Sequence, residues 1–331
     1  NAELPRPSLA PTRSQCYLRH CALTMAHVRF FACLAVLVMV ISGYASADNV
    51  STADELVSCM TSVASVCTLL SNTVFYLHNV STITKNLTIE GTGSSVIDMM
   101  SNSSFATVAT SWTLTLVNLE VRNGAAALGA FVYLTPTSSL NMTSVTIRNM
   151  SSGVSGAAVY QQGSATSTGR GYLRQVFFYD CTVASPSPSS VSAIRLVDPA
   201  NWIIENTSFL GCTGSGMSSY YAVGIQTFLA ASASVTFGGN MQFVATNGTT
   251  GTLAPVLFLT LFSGPGLVIT SKADNPSTWI FQGSAGGLDF RTSSAPISFA
   301  ANNYFHYSAS YTQQATIMTY GPYNVYLAVA Q

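Results

Sequence analysis

The chain has 331 residues, 48% of them apolar, which is enough to bury a large core within one elongated domain. Only 7% of residues are charged, with 12 basic side chains balancing 12 acidic ones. So sparse and neutral a surface offers no basic face for phosphates, which argues against nucleic acid as a partner, and it leaves solubility to something other than net charge.

The first recognisable element is a leader. Met25-Ala26-His27-Val28-Arg29 is a short basic start, Phe30 to Ile41 is apolar, and Ala45-Ser46-Ala47 places small residues at both recognition positions. This is the layout of a secretory signal peptide over residues 25–47, cleaved after Ala47. Its apolar run is short of the ~20 residues that span a bilayer, so no membrane span is expected in the mature chain. Residues 1–24 are expected to lie outside the translated protein. Residues 48–80 read as an N-terminal cap region.

From residue 81 to 331 the chain repeats. Leu87-Thr88-Ile89-Glu90-Gly91 stacks with Leu119-Glu120-Val121-Arg122-Asn123 and then with Val145-Thr146-Ile147-Arg148-Asn149. The column continues at Val176, Thr207 and Met241, with weaker copies at Trp279 to Gly283 and Asn303 to Tyr307. Each copy alternates apolar and outward residues for about five positions, the period of a strand. A second column contains Gly129-Ala130-Phe131-Val132-Tyr133 and Gly156-Ala157-Ala158-Val159-Tyr160, with related strands near 192–197, 221–228, 255–262, 287–291 and 315–320. Thinner third strands lie at 138–142, 234–237, 267–270 and 324–329. Short strands recurring about every 30 residues cannot bury their apolar faces alone and must stack. The expected fold is all-β, a parallel β-helix of about eight coils. A β-sandwich also has many short strands, but gives no reason for residues to match in columns.

Four cysteines follow the leader: Cys59, Cys67, Cys181 and Cys212. In a secreted chain they are expected to pair. Cys181 and Cys212 are 31 residues apart, the offset from Val176 to Thr207. They should therefore meet on adjacent coils at a strand spacing of about 4.8 Å, within disulfide reach. Cys59–Cys67 would then close the N-terminal segment. No histidine lies near these cysteines, and neither a metal nor a cofactor is expected.

Eight N-x-S/T acceptors follow the leader, at Asn49, Asn79, Asn86, Asn102, Asn141, Asn149, Asn206 and Asn247. In a secreted chain most are expected to carry N-glycans, which would supply the solvation that charge does not. The Ser/Pro stretch at 184–190 reads as an exposed extended loop open to O-glycosylation.

Catalytic signals are scarce. His78 and His306 are far apart along the repeats, and no Ser/His/Asp set, HExxH, GxSxG, P-loop or CxxC occurs. The one charged cluster is Glu90, Arg122 and Arg148, equivalent by offset, with Glu120 beside Arg122. It reads either as an ion-pair ladder on a solvated face or as a site for acidic sugar. Further along, the outward rows turn apolar at Phe177, Tyr179, Leu210 and Val244, marking an interface or a surface covered by the 182–190 insertion.

The stacked L-x-I-x-G/N strands, the segment Thr52-Ala53-Asp54-Glu55-Leu56 ahead of Thr73-Val74-Phe75-Tyr76-Leu77, and the run Asn86-Leu87-Thr88-Ile89-Glu90-Gly91 resemble right-handed parallel β-helix proteins of the pectin-lyase-like superfamily. The resemblance covers about residues 50–331. It implies an amphipathic cap helix, which Leu56 to Leu70 would supply. The chain departs from the family's enzymes where their chemistry lies. It has neither the Asp-Asp pair nor the Gly-His-Gly of the polygalacturonase type. For the pectate-lyase type, Arg122 or Arg148 would stand for the arginine base, with only Glu90 and Glu120 nearby. The similarity is greater to noncatalytic adhesins and extracellular structural proteins.

The leading expectation is a secreted, N-glycosylated structural or cell-surface protein, the repeating subunit of an extracellular fibre. A glycan-binding adhesin using Tyr133, Tyr160 and Tyr179 is the alternative, and a polysaccharide lyase or hydrolase at Glu90, Glu120, Arg122 and Arg148 is a third. Extracellular polysaccharide is the partner implied by the last two. Self-association is expected head to tail, through the bare apolar strand Asn324-Val325-Tyr326-Leu327-Ala328-Val329, because open strand edges pair unless covered.

Overall fold

Parallel pairing dominates the chain. The computed structural model describes residues 47–327 apart from 79–80, 102, 157, 185–189, 215–219, 228–232, 245–256, 262–266, 276, 283–286, 293–296, 300–303, 308–315 and 321–325. The backbone winds as a parallel β-solenoid with three main legs per coil, and between legs 2 and 3 the middle coils add a short fourth ladder of Ala125–Leu128, Ser151–Ser155, Thr182–Val183 and Thr213–Gly214. Leg 1 starts at Ala47–Val50 and Val66–Leu69, takes the first half of Leu87–Asp98 and of Thr113–Arg122, and continues through Ser139–Thr143, Arg170–Arg174, Asn201–Glu205 and Ala233–Gly238. It ends with Leu267–Ser271, Ile297–Phe299 and Tyr326–Leu327. Leg 2 runs from Val74–Tyr76 through the second halves of the two long strands, then Thr146–Arg148, Phe177–Tyr179, Ser208–Leu210, Asn240–Val244, Thr278–Gln282 and Tyr304–Tyr307. Leg 3 is a nine-stranded sheet from Ser81–Ile83 to Thr316–Tyr320. From Leu119 on, the two main repeat columns are legs 2 and 3, and the thin third strands are leg 1; the first copy, Leu87–Gly91, belongs to leg 1 instead.

Left-handed backbone turns make the corners. Between legs 1 and 2 the turning residues are Asn118, Ser144, Gln175, Asn206 and Gly239, with φ from 47 to 61° at this and the next corner. After leg 2 they are Asn123, Asn149, Asp180 and Gly211. Asn and Asp tolerate this region because their short side chains bond locally, and Gly has no Cβ to clash.

Inside, like residues stack on like. Phe178, Phe209 and Phe243 are fully buried at equivalent leg 2 positions, with ring centroids 5.2 and 5.0 Å apart. On leg 1 the interior alternates in size: Gly171 faces Trp202, and a Cβ on Gly171 would lie 2.1 Å from the indole. The buried indole donates its Nε1–H to Gln161 Oε1 on leg 3 at 2.6 Å.

The N-terminal end differs from expectation in two respects. The ladder already begins at Ala47, inside the segment read as leader and cap. The cap helix spans only Ala53–Thr61, not Leu56 to Leu70, because Val66–Leu69 is a leg 1 strand. Thr52 and Glu55 form a reciprocal capping box that starts the helix, and Leu56, Cys59 and Met60 bury its inner face. Lys85 closes its other end, donating from Nζ to the carbonyls of Cys59 at 2.8 Å, Ser62 at 2.7 Å and Ala64. The Cys59–Cys67 disulfide ties helix to strand, as expected.

The second expected disulfide is a correction. Cys181 and Cys212 do occupy equivalent places on adjacent coils, flanking the Thr182–Thr213 pair, but both are buried free thiols. Cys181 Sγ faces Tyr179 O at 3.7 Å and Cys212 Sγ faces Phe178 O at 3.6 Å. Strands in parallel register point their Cβ atoms alongside each other. A disulfide instead needs the two Cβ atoms drawn together to about 3.8 Å. Column spacing predicts the neighbourhood without predicting that convergence.

Candidate functional site

The charged cluster lies on the outward face of leg 2, where strand alternation sets every second side chain toward solvent. One outward column reads Tyr76, Asp98, Arg122, Arg148, Tyr179 and Leu210. The column beside it reads Val96, Glu120, Thr146, Phe177 and Ser208.

Asp98 anchors the group. Arg122 Nε donates to its Oδ2 at 2.8 Å, Asn123 Nδ2 lies 3.0 Å from both oxygens, and the Met100 N–H donates to Oδ1 at 2.9 Å. Burial on its own would raise this carboxyl, but the donations from Asn123, Met100 and Arg122 outweigh it and hold Asp98 below the usual carboxylate range. Asn149 Nδ2 donates in turn to Asn123 Oδ1 at 3.1 Å, so the corner carries a ladder of side-chain bonds from coil to coil.

Glu120 is held more loosely. Its Oε1 lies 3.9 Å from Arg122 Nη1 and 3.9 Å from Arg148 Nε, beyond hydrogen-bond range. It lines an open groove of about 490 Å³ together with Ser94, Asn118, Ser144 and Thr146. Arg148 lies over the Tyr179 ring at 5.0 Å, and Tyr179 stacks with Phe177, which is 37% exposed. Of the apolar outward positions, Tyr179, Leu210 and Val244 are half-buried; most of the 182–190 insertion lies outside the described residues.

Of the expected cluster, Glu120, Arg122 and Arg148 come together and Glu90 does not. Glu90 is on leg 1, paired with Thr68 and Val117, while the true partner of Arg122 is Asp98. Adjacent legs share the same two-residue alternation, so a strand pattern aligns equally well across a corner. The offset from Asp98 to Arg122 is 24 residues, shorter than the repeat suggests, so periodicity alone does not align them. The three tyrosines also separate. Tyr133 and Tyr160 stack at 5.4 Å on leg 3, with Arg195 over Tyr160 at 5.8 Å, whereas Tyr179 belongs to leg 2.

A second polar group lies on leg 1. The buried carboxylate of Glu205 accepts from Tyr172 OH at 2.9 Å and pairs with Lys272 at 2.7 Å. Lys272 is two rungs away, and Gly238, on the rung between, has no side chain to block the reach. Burial would raise Glu205, but Lys272 and Tyr172 outweigh it and lower its pKa.

Of the acceptor asparagines, Asn49 and Asn86 are exposed, Asn149 is exposed on a corner, and Asn141 and Asn206 are half-buried; Asn79, Asn102 and Asn247 lie outside the described residues. In the expected interface, only Tyr326 and Leu327 are described, paired with Ser298 and Phe299; Asn324, Val325, Ala328 and Val329 are outside. Among the described residues, no cluster of three or more His, Cys, Asp or Glu side chains is placed to hold a metal, and no helix is long and apolar enough to cross a membrane. No family model matches the chain. No curated protein matches its sequence.

Proposed function

We propose that the chain is a secreted, N-glycosylated β-solenoid with a noncatalytic structural or cell-surface role, built to repeat as the subunit of an extracellular fibre. One observation carries this reading. At the candidate site Asp98 and Arg122 join adjacent coils, with the corner amides bonded in series. Arg122, bonded to Asp98, is engaged in the scaffold rather than free for chemistry. The two ends of leg 1 support the repeating part. Among the described residues leg 1 is one parallel ladder from Ala47–Val50 to Tyr326–Leu327, the kind of stacked edge that a further parallel strand can extend. A second copy continuing that ladder would make a heterologous contact, which propagates when it does not close.

The test is expression of the full coding sequence in a eukaryotic host. The expected product is in the medium, begins at Asp48 and carries N-glycans. Retention inside the cell with the leader intact would contradict the reading.

A glycan-binding role is the second reading, favoured by the groove at Glu120. Carboxylate and hydroxyl groups there suit sugar hydroxyls, and the Phe177–Tyr179 pair beside it suits the apolar face of a sugar ring. Glycan-array binding abolished by Tyr179→Ala, without self-association, would favour this reading over the first.

A further inference from the structure

The acceptor asparagines are not equivalent, and the solenoid sorts them by face. In a strand, residues two apart point the same way, so an N-x-S/T triplet inside a strand turns its Asn and its hydroxyl residue to one side. Asn49 is in leg 1 strand Ala47–Val50, and Asn141 and Thr143 are in leg 1 strand Ser139–Thr143. Asn86 immediately precedes the leg 1 half of Leu87–Asp98. Register places them together: Asn49 heads the column through Thr68, Glu90 and Val117 to Thr143, and Asn141 shares a column with Thr115 and Thr88.

Their amides also have room. Glycosylation replaces a hydrogen on Nδ2 and leaves Oδ1 an acceptor. Asn86 contributes Oδ1, which accepts from the Thr113 N–H at 3.1 Å. Asn141 Nδ2 is 3.5 Å from Thr115 Oγ1, the outer limit of a hydrogen bond.

The corner acceptors are built in. Asn149 has φ 53° and donates from Nδ2 itself, to Asn123 Oδ1. Asn206 has φ 47°, accepts from the Asn240 N–H at 3.1 Å, and packs so closely over Gly239 that a Cβ there would lie 2.1 Å from its Oδ1. A glycan on Asn149 would replace the Nδ2 hydrogen that makes the corner ladder, and one on Asn206 would start from a half-buried side chain packed against Gly239.

We infer that, among the five described acceptors, the N-glycans form a one-sided coat: Asn49, Asn86 and Asn141 carry oligosaccharide on the outward face of leg 1, while Asn149 and Asn206 stay bare. This rests on the secretion reading. The test secretes the full chain from a glycosylating eukaryotic host and compares intact masses of single variants, with glycopeptide mapping of the unaltered protein. Asn49→Gln, Asn86→Gln and Asn141→Gln should each remove one glycan mass, whereas Asn149→Gln and Asn206→Gln should remove none. Should a corner variant not be secreted, mapping of the unaltered chain reads the same two positions directly. A secreted chain with glycan on Asn149 or Asn206, or without it on the leg 1 three, overturns the one-sided coat and leaves secretion standing. A chain retained in the cell and unglycosylated overturns both.

Discussion

Protonating Asp98 weakens its contacts with Arg122, Asn123 and the Met100 amide together. Glu205 likewise holds Tyr172 and Lys272 through one carboxylate. Both acids have depressed values in the folded chain, so their contribution is full above the unfolded carboxylate range and is lost as pH falls through the lower folded values. Melting temperature should therefore drop below about pH 4. Asp98→Asn should cost roughly 1–3 kcal/mol at neutral pH and flatten that acid limb; a variant whose pH profile overlays the parent's would show that Asp98 contributes nothing. Burial, with the Cys212 thiol beside it, raises Cys181 well above the ordinary thiol value. A maleimide should leave Cys181 and Cys212 unlabelled in the native protein and modify both after denaturation without reductant. Labelling of neither after denaturation would mean that they are joined.

At the level of elements, the solenoid depends on complementary rungs and on a sealed end. Gly171→Ala would drive a methyl into the Trp202 ring, and the adjustment should cost roughly 1–3 kcal/mol, read as a lower urea midpoint with an unchanged slope. Lys85→Met keeps the aliphatic stem but removes the donations to the helix end. It should cost roughly 1–2 kcal/mol and expose Ala53–Thr61 to limited proteolysis; equal protease resistance would show that the disulfide alone holds the cap. The strands themselves were legible in the sequence, since alternation and recurrence give all three legs. Their assignment to legs was not always legible. Residues 87–91 resemble residues 119–123 because both are half-exposed strands, yet the hydrogen bonds pair Leu87 with Leu114. Corners hide from periodicity because each is a single residue with positive φ, and Ser144 or Gln175 serves there as well as Asn118. Periodicity extends the helix to Leu70 because Val66, Cys67 and Leu69 are spaced to suit either a helix face or a strand, and the pairing with Thr88 to Gly91 decides for the strand.

For the whole molecule, a chain with 7% charged residues needs both a hydrophilic cover and a fate for its ladder ends. In the proposed assembly, glycans on leg 1 would answer the first requirement and end-to-end pairing the second. Near the N-terminal rungs Val63 is 96% exposed and Leu70 55% exposed. Negative-stain electron microscopy of the secreted, glycosylated protein over a range of concentrations tests the proposed structural role most directly. The account predicts rods that lengthen end to end as concentration rises. Short monodisperse particles of single-chain size at every concentration would contradict it.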